Sequence, residues 1–420
     1  MSAKDTPHAG APRKLSRAEI ALVGVLVIVS CVAGFLPLFN VLRGYLILTI
    51  HNVYLLSAHA GAVPVYLAMR PRRRGLVSFL IAAAVLCPPV AYFVAHSGPI
   101  VYFGNLAGTP DAIRTIAGAS GLAAIFCLVI ASVWEQKNKR ALARHGLLAV
   151  FVMWVSVLVS RLLMLRISDS LPMTFDRHLY AFDAGFGGQL SFAAGRLFDR
   201  LPILHSVCLL IYCALPFAVL FLFANLRATA RTRWLLLAHF TLIGIVGRFC
   251  YSAVPAMGPI YQFPAQFPGN APAVASLTME LVHLPPGARN AMPSLHAAWV
   301  LMLSWWTYRQ RRWVRVAAGL FLFLTLLATL GLGEHYLIDL IVAVPVALAS
   351  CAVITPLLPG NRMPWVALGV GLGLSIFWFV LFRSPMLSIA GRPQIVWPLS
   401  VATVWLSLLV APWDTLQTRD

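Results

Sequence analysis

Apolar residues run along this chain in long unbroken stretches, and polar residues gather in the short segments between them. A half-wet helix would show apolar positions every three to four residues, and a half-wet strand every second one. Neither pattern dominates. Roughly twelve stretches of about 17–25 residues are each long enough for a helix to cross a bilayer. They lie near 19–37, 45–69, 75–96, 115–134, 145–165, 201–225, 234–254, 293–308, 316–333, 335–357, 364–382 and 395–411. The pattern predicts an all-α, polytopic integral membrane protein and excludes a soluble globular core.

Composition agrees, with 60% of the 420 residues hydrophobic and 11% charged. The net charge of +19 matters through its distribution. Lys4, Arg13, Lys14 and Arg17, and clusters at Arg70–Arg74, Lys137–Arg144, Arg227–Arg233 and Arg309–Arg315, fall on one side of an alternately threaded chain. The other side holds Arg43, Arg114, Arg166, Arg177, Arg196, Arg200, Arg289, Arg383 and Arg392. By the positive-inside rule, both termini are expected in the cytoplasm and the longer loops outside. The basic clusters then read as anchors near anionic head groups, not as a nucleic-acid surface. Compact loops point to a bacterial inner membrane with the outer loops in the periplasm. All seven cysteines, Cys31, Cys87, Cys127, Cys208, Cys213, Cys250 and Cys351, sit in apolar stretches as small core residues, not as a disulfide or metal set. Residues 1–17 are expected to be a disordered tail, and the stretch after them a retained helix, since no small-residue cleavage site follows it.

Two long loops, Arg166 to Arg200 and about Pro255 to Met292, are expected on the outer side. The first ends in an amphipathic stretch suited to the membrane surface. The second is rich in Pro and Gly, stiff, and suited to a folded cap over a site. The chain divides into the tail 1–17, a four-helix group 18–144, a six-helix core 145–357 and a carboxy-terminal pair 358–420.

Within the core, His296 opens one apolar stretch, and His335 stands at the junction of the next two. Two histidines 39 residues apart return to one membrane depth when a single helical hairpin separates them. Asp339 follows His335 at i+4, the spacing of one helix face, so its carboxylate can hold one ring nitrogen and leave the other free. That is the arrangement of an activated histidine nucleophile, with the second histidine available as a proton donor.

Pro293-Ser294-Leu295-His296 resembles the Pro-Ser-x-His motif of the type 2 phosphatidic acid phosphatase superfamily, and His335-Tyr336-Leu337-Ile338-Asp339 resembles its His-x-x-x-Asp motif. The variants here are most similar to the inositol phosphorylceramide synthase branch, and the resemblance covers about 145–357. It implies that His335 attacks phosphorus and becomes a phosphohistidine. Asp339 would orient it, and His296 would protonate the departing oxygen. A lipid hydroxyl or water would then take the phosphoryl group. It implies no metal and no cofactor, and the substrates are membrane phospholipids or phosphorylated lipids.

Two departures bear on the substrate. The phosphatase branch has a Lys seven residues before an Arg-Pro pair; here Arg248 precedes Pro255 by seven and the second cation is missing. That branch also has an Arg six residues before the nucleophile, where Thr329 stands. A dianionic phosphate needs several cations, so the loss of two favours a phosphodiester, or replacement by Arg289 and then Arg248. The expected function is a lipid phosphotransferase that moves a phospho-head group between lipids. The alternative is a lipid phosphate or pyrophosphate phosphatase, followed by a non-catalytic transporter or scaffold.

Each secondary residue has two readings. Ser294 either donates to phosphate or caps the helix after it. Arg289 is a phosphate ligand or a surface cation, and Arg248 a ligand or a snorkelling residue. Arg161 reads as structural, and Glu334 as an exposed interfacial acid. Asp176 and Asp183 bind a polar head group or shape turns beside Gly185 and Gly187. Gly258-Pro259-Ile260-Tyr261 is expected to shape the wall of the site.

Overall fold

The computed structural model describes residues 44–45, 48–49, 52–96, 111–285, 287–358, 360–384 and 392–413. The tail 1–17, the stretch 19–37 and Cys31 lie outside them. The described chain is mostly helical, as the apolar pattern predicts, and among the described residues seven helices are long and apolar enough to cross a membrane. They are α3 (Arg73–His96), α4 (Asp111–Trp134), α5 (Lys137–Ser170), α10 (Ala230–Ala253), α13 (Arg312–Gly331), α14 (Leu337–Ile354) and α15 (Trp365–Arg383).

Other apolar stretches fold differently from uninterrupted spans. The run near 201–225 becomes α8 (Pro202–Cys213) and α9 (Leu215–Asn225), bent by 60°. Pro216 enters at the break, where its missing N–H removes a bond that would continue α8. The run near 45–69 gives α1 (Val53–Ala60) and α2 (Ala62–Ala68), separated at Gly61, which leaves no room for a Cβ against Leu220. The run near 293–308 yields α12 (Leu295–Thr307) of 13 residues, too short to span, because its cap at Ser294 delays the start. The last, α16 (Pro393–Leu409), has 17 residues.

At the centre stands α14. Within its membrane-length window 83% of residues are buried, against 22% for α3, α5, α13 and α15, so it is the axis on which the others pack. Helices α12, α15 and α16 lie against it, and Gly371 of α15 lets that helix approach the α14 backbone. The carboxy-terminal pair is therefore part of the packed bundle.

The two long loops fold into one cap. Their short strands β1 (Met173–Thr174) and β2 (Val282–His283) pair antiparallel. The first loop then forms α6 (Asp176–Ala184) and α7 (Leu190–Arg200); the second begins with the single turn α11 (Pro259–Gln262). Tyr180 donates to the Pro272 carbonyl, and Arg177 and Arg196 reach across to Thr278 and Gly269. The Pro-rich loop is thus tied to its neighbour at several points.

Candidate functional site

The chain brings the start of α12 and the α13–α14 junction together, as the hairpin spacing predicts. The Ser294 amide donates to the Asp339 carbonyl at 3.0 Å, and His335 Nδ1 lies 2.9 Å from the Ala291 carbonyl. A carbonyl only accepts, so Nδ1 carries the proton, and the lone pair is on Nε2. That Nε2 has no protein partner. Asp339 plays a different part from the expected helix-face partner. Helix α14 begins only at Leu337, so His335 stands before the helix, and Asp339 in the first turn accepts from the Tyr336 amide at 2.8 Å. The carboxylate is left 3.6 Å from His335 Nδ1, close enough to favour positive charge on the ring but not to hold its tautomer.

His296 is caged by aromatic rings. Tyr212 stacks on it at 3.8 Å between centroids, Tyr54 lies at 5.5 Å, and Trp299 stands edge-on at 6.0 Å. Its Nε2 is buried without a partner, within electrostatic reach of His335. Ser294 takes the capping role, with its hydroxyl accepting from the Ala297 amide at 3.4 Å.

Beside these residues lies a cavity of about 290 Å3, lined at its polar end by His296, Arg248, Arg161, Asn290, Tyr261 and Glu334. Arg248 is 8% exposed, and its Nε and Nη1 are buried without partners; its guanidinium sits 5.6 Å from the Tyr251 ring. A second hollow, between α5 and α10 on the outside of the bundle, also reaches Arg248 and is walled by Leu163, Ile245 and Phe249. Arg161 is exposed, on the same flank of α5. It is the only Lys or Arg in the apolar run 145–165, and where a structural role was expected it lines the cavity.

Arg289 does not supply the replacement cation. It is 1% exposed, and its guanidinium donates to the carbonyls of Leu171, Pro172, Leu284 and Pro285, with Met257 sulfur also in contact. These partners use its donor fork to close the cap, and only its neighbours Ala288 and Asn290 reach the cavity. Thr329 is fully buried, with its hydroxyl on the Leu326 carbonyl, so the position has no space for a guanidinium.

Three acids also differ from expectation. Glu334 is buried, not interfacial: it is 3% exposed and accepts from the Tyr261 hydroxyl at 2.9 Å. Tyr261 thus forms the expected wall. Gly258, at φ 114°, and Gly333, at φ 72°, let the two segments meet, since a Cβ on Gly258 would strike the Glu334 carbonyl. Asp176 and Asp183 are fully buried and bond to other segments of the chain. Asp176 accepts from the amides of Met257 and Gly258 and from the Tyr336 hydroxyl. Asp183 accepts from the Leu337 and Ile338 amides, capping α14 from another segment. Two buried acids of the first loop therefore pin the segment that follows His335.

Burial also sets protonation at this junction. Desolvation holds His335 down at about 4, against the proton-favouring Ala291 carbonyl, so the ring is neutral at pH 7. Desolvation pushes Glu334 up to about 8, only partly offset by Tyr261, so its carboxyl carries a proton at pH 7. Asp183 rises to about 8 for the same reason despite its two amide donors.

A family model described as the PAP2 superfamily matches residues 177–353, a segment that contains His296, His335 and Asp339. The match supports the type 2 phosphatidic acid phosphatase superfamily and a lipid phosphatase or phosphotransferase type of activity, without distinguishing a branch. No curated protein and no solved structure matches the chain.

Proposed function

We propose that this integral membrane protein is a lipid phosphotransferase that works through a phosphohistidine on His335. The observation that carries the reading is a set of buried, unpartnered polar atoms: Nε2 of His296 and Nε and Nη1 of Arg248, which line one cavity, and Nε2 of His335, within electrostatic reach of His296. Leaving such atoms unpaired costs about 1–3 kcal/mol each; phosphate oxygens would accept from Arg248 and His296, while the phosphorus would face the His335 lone pair.

In this reading the His335 Nε2 lone pair forms a bond to phosphorus while the bond to the leaving oxygen breaks. His296, entering the step as the imidazolium, gives that oxygen its Nε2 proton and is left neutral. The Ala291 carbonyl keeps the Nδ1–H in place, and the Asp339 carboxylate stabilises the positive charge the ring gains. An acceptor hydroxyl then returns a proton to His296 as its oxygen takes the phosphoryl group and the N–P bond breaks.

The cations present favour a singly charged phosphodiester. Arg248 is the buried cation of the cavity, Arg161 stands at its exposed edge, and Glu334 supplies a neutral carboxyl instead of a further positive charge. A lipid hydroxyl as acceptor suits the apolar walls, which makes the activity similar to head-group transfer in the inositol phosphorylceramide synthase branch. The threading expected from charge places the site on the periplasmic side of a bacterial inner membrane.

The test is purified protein in lipid nanodiscs without added metal, supplied with labelled phospholipid, with and without diacylglycerol or ceramide. A new phospho-head-group lipid that needs the acceptor and vanishes in His335→Ala supports transfer. Release of free phosphate from a phosphomonoester or pyrophosphate lipid would instead make the protein a phosphatase.

A further inference from the structure

The other end of the bundle holds a second polar cavity that the histidine chemistry does not use. It has a volume of about 440 Å3 and lies where α5 and α10 begin and α9 ends, lined by Asn138, His145, Arg233 and Trp234 between apolar walls that include Leu142 and Phe223. Along α10, Arg233 and Arg248 are 15 residues apart, which is about 22 Å of helix. The two cavities are therefore separate.

The polar groups here suit an anion. Arg233 Nε is buried without a partner, and among the described residues no Asp or Glu lines the cavity. His145 Nδ1 accepts from Trp234 Nε1 at 3.4 Å, so the neutral ring presents Nε2–H as its donor. Helices of 34 and 24 residues start at this place, and the first has no side-chain cap, so unpaired amides and the positive ends of two dipoles point the same way. Lys137, Lys139, Arg140, Arg144, Arg227 and Arg231 lie on the same turns of the chain without lining the cavity, and Arg140 and Arg144 donate to the Glu135 and Ser132 carbonyls. Trp134, at the end of α4 and 71% exposed, marks the level where head groups meet acyl chains.

We propose that this cavity is an anion site for a phosphate group carried by a lipid, the head group of an anionic phospholipid in the leaflet at the basic end. The guanidinium of Arg233 and the His145 Nε2–H take the phosphate oxygens, and the walls from Leu142 and Phe223 receive the start of the apolar tail. Free phosphate shares the recognised chemistry but makes no use of those walls.

The test is native mass spectrometry of the full chain delipidated and reconstituted in phosphatidylcholine with added phosphatidylglycerol. The expected result is retention of phosphatidylglycerol that falls by about ten-fold in Arg233→Gln and stays within about two-fold in Arg231→Gln, an exposed neighbour that does not line the cavity. Millimolar inorganic phosphate should not displace the lipid. An equal loss in Arg231→Gln would reduce the effect to diffuse surface charge, and unchanged retention in folded Arg233→Gln would overturn the site. Displacement by inorganic phosphate would overturn the lipid assignment. Should Arg233→Gln fail to fold, His145→Ala carries the same expectations.

Discussion

Four buried histidines in two regions of the bundle show how packing and chemistry differ. Toward the middle, both nitrogens of His59 are engaged, by the Tyr45 hydroxyl and the Gly118 carbonyl. His239 is likewise satisfied, by Ser350 and Trp306. At the capped end, His296 and His335 are as deeply buried, yet each keeps Nε2 without a partner. A histidine used for packing closes its hydrogen bonds within the protein; one held for a ligand leaves a specific atom open. The open atoms persist because rigid neighbours fix the rings: stacked aromatics around His296, and a carbonyl at His335 with two buried acids on the segment that follows it.

Exchanging the members of this contrast should separate them, and the largest effect belongs to the nucleophile. His335→Ala should lower single-turnover transfer by about 10^3-fold or more with the melting curve retained; persistence of most of the rate would remove it from the chemistry. Asp339→Asn should cost about 10^2-fold, because the ring loses its stabilising charge while Ala291 still holds the tautomer. Full activity in that variant would make the carboxylate a capping group only.

An effect of about ten-fold is expected from pH. His335, held down at about 4, stays neutral and nucleophilic above that value. Glu334, pushed up to about 8, turns anionic above it and repels an incoming phosphate. Hence kcat/KM should be level between these values and fall at higher pH, and Glu334→Gln should flatten the alkaline limb; an unchanged limb would assign it to another group. Smaller still, Arg289→Lys should lower stability by about 3 kcal/mol in thermal melts through its orphaned carbonyls, with turnover per folded molecule within about three-fold. A selective loss of substrate affinity would restore Arg289 to the phosphate site. Smallest on turnover is His239→Ala, expected within about two-fold, with a lower melting temperature as its only clear mark.

Much of this was legible from the chain. Apolar run lengths gave the helices, and the hairpin separation brought His296 and His335 to one end. What local pattern could not supply was partnership across long separations. Arg289 reads as a loop cation, but its acceptors Leu171 and Pro172 arrive from another loop over 100 residues away. Asp176 and Asp183 stand beside turn-forming glycines, while the amides they serve belong to residues 257–258 and 337–338. Glu334 looked interfacial because nothing near it in sequence predicts that Tyr261 will fold over it. A readable sign did exist: the lone acid of an apolar approach to His335, with no Lys or Arg in the run 316–333 before it.

The hollow between α5 and α10 opens on the bundle's flank at Arg248, whereas the cap is tied down across both loops. On the proposed reading, substrate arrives sideways from the bilayer. The relevant concentration is then a mole fraction within one leaflet, and inert detergent or lipid slows turnover by surface dilution even when the bulk amount of substrate is constant.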